Sequence, residues 1–371
     1  MRLSNLRHAT VASGHRIFSH QTSAAMKNKT KLWVGIGAYL LTALSPTGCA
    51  VAPQQNAAVS TQEAASPGAE SPVASATASP GAAASELDPC RRGAGGEGGE
   101  GGEGGEGGEG AEDSSAAATP NPAIKPEELQ KAVADYKTYV VQEVDRLVTD
   151  TKVFTDRVIA GDVAGAKAVY GSSRLGWERI EPIASSFAAL DGAIDARVDD
   201  FKGEDDPAFT GFHRIEMGLF KYNTTKGYEP FARKLMTDLQ GLKTCVASLE
   251  IEPRDMVRGA SELIEEVSLG KITGEEDRYS RLDFWSFRAN LEGSQKVVNL
   301  VRPMVQRIQP TVLQRVDRDF AAVNQVLEKY KLPNGDFMTY DKLSAADKKR
   351  LQADLAKLAE NISKLRGVIG V

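Results

Sequence analysis

Residues 126–148 read PEELQKAVADYKTYVVQEVDRLV, and the period of this stretch indicates the fold class. Pro126 is tolerated in the first turn of a helix, and the acidic residues after it suit that end of the helix dipole. Apolar side chains then recur at spacings of three and four, at Val133, Tyr136, Val140, Val144 and Leu147. This period predicts an amphipathic helix with one buried stripe.

The same helical period returns along the chain as far as its last residues. The further helices that it predicts run from Asp162 towards Leu190, Phe231 to Leu249, Pro253 to Gly270, Leu282 to Val301, Pro310 to Tyr330 and Ser344 to Leu365. A break at Asp205-Asp206-Pro207 precedes a short segment that contains His213. Strand-like alternation is rare. We therefore expect an all-α protein, most simply two antiparallel bundles, about residues 122–250 and 251–371.

The first 49 residues are typical of an export signal. Lysines at residues 27–31 precede an apolar run from Leu32 to Leu44, which is too short to cross a membrane. Cys49 follows a glycine, which indicates lipoprotein processing with Cys49 as the lipidated residue, although Pro46 stands where a leucine is usual. Plain cleavage and a retained membrane anchor are the alternatives, and Met26 is an alternative start.

Residues 50–121 predict a flexible tether. They are rich in Ala, Ser, Pro, Gly and Glu and include a Gly-Gly-Glu repeat from Gly95 to Glu109. Without apolar periodicity, such a segment cannot bury enough surface to offset the entropy lost on ordering. Cys90 lies in this segment and Cys245 in a helical pattern, so the sequence indicates no disulfide framework. We interpret Cys245 as a small buried apolar residue.

One histidine and several acidic residues are the candidates for a functional site. Three of the four histidines lie in the first twenty residues, which leaves His213 as the only histidine of the exported chain. Glu216 follows three residues later, so both side chains share one face of a helix and can reach one ion. A formal net charge of −5 argues against nucleic acid as a partner.

Three further acidic clusters accompany this pair. They are Glu178 with Glu181, Asp191 with Asp195, and Glu275-Glu276-Asp277 with Asp283 beyond. Helical bundles build metal sites from inward carboxylates on facing helices. A carboxylate-rich set with a single imidazole suits iron or manganese and would take zinc, whereas it does not select copper(I). Carboxylate ligands also make the affinity fall as pH drops, because they must lose their protons.

The residues alone leave a structural interpretation open for each cluster. Glu178 or Glu181 would then pair Arg174 or Arg179 on a solvated face. The aspartates would end a helix or form a turn, the acidic run would be the first turn of a helix, and His213 would be a structural histidine. A zinc hydrolase with two histidines is excluded for the exported chain, since Met217 follows Glu216 and no second histidine remains.

Together these segments resemble the imelysin-like domain of the EfeO/EfeM iron-uptake family. The matching segments are WERIEPIASSFAALDGAIDARVDD (177–200), GFHRIEMGLF (211–220), MVRGASELIEEVSLGKITGEEDRYS (256–280), residues 282–296 and the final SKLRGVIGV. The resemblance covers residues 122–371. It implies two four-helix bundles and a periplasmic iron-binding protein that is not an enzyme, although members carry a peptidase name.

The resemblance also implies a ligand set and partners. The His-x-x-Glu motif falls on His213 and Glu216, and the acidic ligands fall on Glu178, Glu181, Asp195 and one of Glu275 or Glu276. The implied cargo is Fe2+ or Fe3+, with zinc or manganese as alternatives in the same site. The implied partners are an inner-membrane iron permease and a haem peroxidase, with a lipid anchor to the membrane. Because a low-complexity segment replaces the cupredoxin domain of longer members, the chain resembles the short EfeM form.

A binding module of a different class is the alternative function. Arginines lie beside the acidic clusters, at Arg179, Arg214, Arg278 and Arg281. They would suit an envelope-anchored module for a polysaccharide or another anion, with any metal serving only a structural role. The more common role for such arginines is to pair the carboxylates.

Overall fold

The computed structural model describes Cys90 and residues 121–371. The predictions for the export signal, for lipidation at Cys49 and for the tether fall almost entirely outside the described residues. Within the described part, the regular structure is helical, and the one strand-like feature is an isolated bridge between Lys331 and Phe337. The all-α prediction is confirmed.

Ten α-helices form the described part of the chain. They are α1 (Pro126–Ile159), α2 (Val163–Ser173), α3 (Leu175–Ile180), α4 (Ala188–Ile194), α5 (Gly211–Glu216), α6 (Glu229–Ser248), α7 (Pro253–Leu269), α8 (Asp283–Ile308), α9 (Pro310–Leu327) and α10 (Ala345–Ile369). Short 3-10 turns lie between some of them, and a π-helical turn, Met217–Lys221, follows α5.

The predicted stripe on α1 is buried and continues beyond the predicted segment. Tyr136, Val140 and Leu147 are fully buried, and Phe154 extends the stripe towards the end of the helix. Each such side chain contributes about 1.5–3 kcal/mol of transfer free energy relative to exposure. The stripe is therefore the main reason why this segment is a helix in the folded protein.

The helices form two neighbouring groups around one continuous core. Helix α1 packs against α2, α3 and α6, whereas α7 packs against α8 and α10, and α10 against α9. Helix α8 also contacts α1 and α3, so apolar residues of both groups belong to a single buried cluster. The boundary between two separate bundles near residue 251 stays a prediction.

The segment from residue 162 to residue 190 is broken, so the prediction of one continuous helix there is wrong. Helix α3 ends at Ile180, a 3-10 turn runs over Glu181–Phe187, and Ile183 has φ −122° and ψ 15°. The cause is Pro182, which has no N–H to donate to the carbonyl of Glu178 one turn earlier. The side-chain Nδ2 of Asn290 on α8 lies 3.0 Å from that carbonyl oxygen and shares its two hydrogens between it and the carboxylates of Glu178 and Glu181.

Two glycines let neighbouring helices approach this broken segment closely. A Cβ atom on Gly293 of α8 would lie 2.3 Å from the carbonyl oxygen of Arg179. A Cβ atom on Gly259 of α7 would lie 1.7 Å from the carbonyl oxygen of Pro182. Only glycine allows both contacts. The segment that carries Glu178 and Glu181 is thus held between α7 and α8.

A disulfide bond joins Cys90 to Cys245 of α6, with the two Cα atoms 5.1 Å apart. The interpretation of Cys245 as a free apolar cysteine, and of the chain as lacking a disulfide framework, is therefore wrong. The two cysteines are 155 positions apart, and no apolar period around Cys90 indicated that it would reach the helical core. The bond fixes Cys90 to the helical domain, where it packs against the core.

We expect Cys245→Ala to lower the free energy of unfolding by about 2–5 kcal/mol, because the crosslink restricts a long loop in the unfolded chain. Urea denaturation measures the difference. Dithiothreitol should destabilise the wild-type protein by a similar amount and leave the variant unchanged. Equal stability of variant and unreduced wild type would show that the bond contributes nothing.

Candidate metal centre

The pair Glu178 and Glu181 lies at the junction of α3 with the 3-10 turn. Glu178 is fully buried and Glu181 is largely buried. The side-chain amide of Asn290 donates to Glu178 Oε2 at 2.9 Å and to Glu181 Oε2 at 2.7 Å. One amide group on α8 therefore fixes both carboxylates, which face the protein interior and not a solvated surface.

Helix α5 brings His213 beside Asp195. Its first residue, Gly211, has φ +77° and approaches the end of α4 so closely that a Cβ atom would lie 2.2 Å from the carbonyl oxygen of Ile194. Thr210 donates its hydroxyl to the carbonyl of Ala193 at 3.0 Å. As a result, His213 Nε2 lies 3.7 Å from Asp195 Oδ1.

Glu216 orients the imidazole of His213. Its Oε2 lies 2.9 Å from His213 Nδ1, and its Oε1 accepts the backbone N–H groups of Tyr279 and Ser280 at 2.9 and 2.7 Å. An ionised carboxylate only accepts hydrogen bonds, so the imidazole hydrogen is assigned to Nδ1. The lone pair then lies on Nε2, which has no hydrogen-bond partner among the described residues. A buried nitrogen of this kind is suited to a metal ion.

Glu276 approaches the same imidazole nitrogen, whereas Glu275 does not. Glu276 is buried, and its Oε1 lies 3.9 Å from His213 Nε2. Glu275 is partly exposed and accepts the hydroxyl of Thr273 at 3.0 Å. The choice between these two glutamates, which the sequence left open, therefore falls on Glu276 by position.

Two buried cations lie among these carboxylates. Arg174 Nη2 is 2.7 Å from Glu178, 2.8 Å from Asp195 and 2.9 Å from Glu276, and its Nη1 is 2.7 Å from Asp277. Lys271 Nζ is 2.6 Å from Glu181 and 3.4 Å from Glu276. Both cations are buried, so the ion pairs lie in a medium that screens charge weakly.

The surrounding charges shift the pKa values of the carboxyl groups in opposite directions. Burial acts to raise the pKa of Glu276, but Lys271 and Arg174 outweigh it and hold that pKa well below its usual range. Burial raises the pKa of Asp195, although Arg174 opposes this shift. Burial also raises the pKa of Glu181 well above its usual value, although Lys271 opposes this shift. A cation bound between these groups would oppose the effect of burial and lower the pKa of Asp195 and of Glu181.

The structure brings together six of the seven residues that the sequence analysis selected. They are Glu178, Glu181, Asp195, His213, Glu216 and Glu276, while Glu275 lies at the edge. The sequence analysis did not identify Lys271 or Asn290. Lys271 is 90 positions from its partner Glu181, and Asn290 is 112 positions from its partner Glu178, so neither contact leaves a local pattern in the sequence. Arg174 had one, its i,i+4 spacing to Glu178. The sequence left a solvated pair open as the structural alternative, whereas the pair is buried.

The donor set fits a hard or intermediate transition metal. One ligand atom each from Asp195, His213 and Glu276 lies within 4.8 Å of the others. The oxygens of Asp195 and Glu276 lie 3.7 and 3.9 Å from His213 Nε2, less than twice the usual ligand distance of about 2.0–2.2 Å, so one ion can contact this nitrogen together with either oxygen. Carboxylate oxygens with a single imidazole nitrogen suit iron, manganese or zinc, and the only described cysteines are joined in a disulfide.

Comparison with known proteins relates the chain to one family. The family model for imelysin, which also carries the label peptidase M75, matches residues 132–365. The iron uptake system component EfeO of Escherichia coli (strain K12) is 51% identical over 241 residues, and that of Shigella boydii serotype 4 is 50% identical over the same length. The aligned part is 65% of this chain and 64% of each of these relatives.

We expect Asp191→Asn to stabilise the protein above pH 7. Burial, with Asp195 and Glu266 nearby, raises the pKa of Asp191 from 3.8 to about 7. Between these values the folded state keeps a proton that the unfolded state has released, so stability falls as pH rises through this window. The gain should be on the order of 1 kcal/mol at pH 8, because the side chain is partly solvated.

Urea denaturation of the metal-free protein at pH 8 and at pH 4 measures this effect. The exposed Asp150→Asn is the matched control and should change stability at neither pH. A gain for Asp191→Asn that is equal at both pH values would contradict the assigned pKa.

Proposed function

This chain belongs to the imelysin family, and from that premise we propose that it is the exported metal-binding component of an iron uptake system. The observation that carries the proposal is the buried Nε2 of His213, which has no hydrogen-bond partner among the described residues and faces Asp195 and Glu276. The relatives are named iron uptake system components, which supports the choice of iron as cargo.

In our proposal, Asp195, His213 and Glu276 hold the ion. Glu178 and Glu181 flank them and complete the carboxylate set as the ion enters. Glu216 acts through His213, because both of its oxygens already accept hydrogen bonds or face Nδ1. Glu275 is left out of the ligand set. The cargo is Fe2+ or Fe3+, with zinc and manganese as competitors for the same donors.

Uptake requires that the ion also leaves the site. We propose delivery to an iron permease of the inner membrane, with a haem peroxidase as a further member of the system. Protein carboxylates suit this role, because their affinity for the ion falls when they regain protons.

One observation supports an exported location. The disulfide between Cys90 and Cys245 is of a kind that persists in oxidising compartments such as the bacterial periplasm. In the described residues, no helix is long and apolar enough to cross a membrane. We propose that the protein lies in the periplasm and is attached through a lipid at Cys49, a residue outside the described part.

The binding of an anionic polymer gains no support from the arginines that suggested it. Each of the four already has a partner within the described domain. Arg179 pairs with Glu292, Arg214 donates to the carbonyl of Glu204, Arg278 pairs with Asp199, and Arg281 donates to the carbonyl of Gly274. We likewise propose that the protein is not an enzyme, since residues 121–371 contain no second histidine to join His213 at a hydrolytic zinc site.

We expect the double variant His213→Ala and Glu178→Ala to bind iron at least about 100-fold more weakly than wild type, because a nitrogen donor and a flanking charge are removed. Calorimetric titration of the metal-free protein with Fe2+ under anaerobic conditions, and with Mn2+, measures the affinity. Glu275→Gln is the matched control and should bind as wild type does. Unchanged affinity in the double variant would contradict the assigned site.

We expect Glu216→Gln to weaken iron binding by about 10–100-fold without unfolding the protein. The glutamine oxygen can still accept the backbone N–H groups of Tyr279 and Ser280, while its amide donates to His213 Nδ1. The imidazole hydrogen then moves to Nε2 and blocks ligation. Because His213 is the only histidine once the export signal is removed, its ring 15N chemical shifts report the tautomer directly. Full affinity with an Nε2–H tautomer would rule this role out.

A further inference from the structure

The guanidinium of Arg174 lies where three carboxylates converge. One nitrogen, Nη2, is within 2.9 Å of oxygens from Glu178, Asp195 and Glu276, which come from three separate segments. This nitrogen carries only two hydrogens. They are donated to Asp195 and Glu276, and Glu178 Oε1 has no hydrogen-bond partner among the described residues. Arg174 therefore offsets only part of the negative charge of these carboxylates and leaves one oxygen of Glu178 without a hydrogen bond.

The same oxygens face the free nitrogen of His213. Asp195 Oδ1 and Glu276 Oε1, which accept from Arg174, are the atoms that lie 3.7 and 3.9 Å from His213 Nε2. A metal ion bound by that nitrogen would draw both oxygens to about 2.0–2.2 Å from itself. The guanidinium of Arg174 and the ion would then compete for the same pair of oxygens, because both are positively charged.

Other contacts would retain Arg174 after Nη2 moves away. Its second nitrogen, Nη1, donates to Asp277 at 2.7 Å. The guanidinium carbon also lies 5.9 Å from the ring centre of Tyr170 and 5.7 Å from that of Phe212, which is the range of cation–π contacts. Its Nε has no hydrogen-bond partner among the described residues, so no bond at that position prevents the group from turning.

Building on the proposed function, we propose that Arg174 is an internal counter-cation that the incoming metal ion displaces from Asp195 and Glu276. Loading is then an exchange of cations. The guanidinium holds the metal-free carboxylates together, and the ion must outcompete a permanent charge, which favours ions of charge two or three over monovalent ones. When the ion leaves, Nη2 returns, and the emptied site does not collapse or open.

Arg174→Met tests this proposal, with Arg179→Met as the matched control. Arg179 is also paired with two glutamates, Glu143 and Glu292, but it lies outside the carboxylate group around His213. Melting temperature is measured with and without Fe2+ under anaerobic conditions, and affinity by calorimetric titration. We expect Arg174→Met to melt well below wild type without iron, to approach it with iron, and to bind iron roughly tenfold or more tightly. Arg179→Met should lower both melting temperatures equally and leave the affinity unchanged.

The outcomes separate the two proposals. If wild type binds no iron, the proposed function is wrong; if wild type binds and Arg174→Met binds equally or more weakly, only the counter-cation role is wrong. If Arg174→Met does not fold without iron, its refolding is measured with and without Fe2+. Failure to refold under both conditions would overturn the counter-cation role. Arg174→Lys keeps the positive charge but cannot reach Asp277 and the other carboxylates together. Its affinity for iron should lie between those of wild type and Arg174→Met. Binding of iron weaker than in wild type would also overturn the counter-cation role.

Discussion

The structure depends on burying an excess of carboxylates around a few cations. Glu178, Glu276 and Asp277 are almost inaccessible to solvent, and so is Arg174, which contacts all three. Isolated buried charges cost several kcal/mol each, and their mutual attraction offsets this only when the geometry is good. A protein that needed only stability would fill this space with apolar side chains. We propose that the charges are retained because a cation enters and leaves this site.

The fold brings this group together from segments that are distant in the sequence. A proline ends α3, and two glycines on α7 and α8 admit its backbone closely enough for Asn290 to hold both Glu178 and Glu181. Gly211 similarly sets α5 against the end of α4. Close backbone contacts thus place the segments that carry these side chains, and Asn290, Glu216 and Arg174 then orient the individual groups. In our proposal, the site exchanges its cation while the surrounding helices remain in place.

Local periodicity predicted the helices and the pair at residues 213 and 216, because helical spacing fixes which side chains share a face. It failed at Pro182, where the apolar period continues but the backbone hydrogen bond cannot form. It also could not identify Lys271, Asn290 or the disulfide partner of Cys245, since these contacts join positions 90 or more residues apart. The resemblance to a family named the ligand candidates, whereas only tertiary structure separates Glu276 from Glu275.

The position of the bound ion tests most directly whether Asp195, His213 and Glu276 hold it. A crystal of the protein grown with iron, with data collected on both sides of the iron absorption edge, gives that position as an anomalous difference peak. Our account predicts one peak at about 2.0–2.2 Å from His213 Nε2 and from oxygens of Asp195 and Glu276, with Arg174 Nη2 moved away from them. A peak beside Nδ1 and Glu216, or one remote from His213, would contradict it.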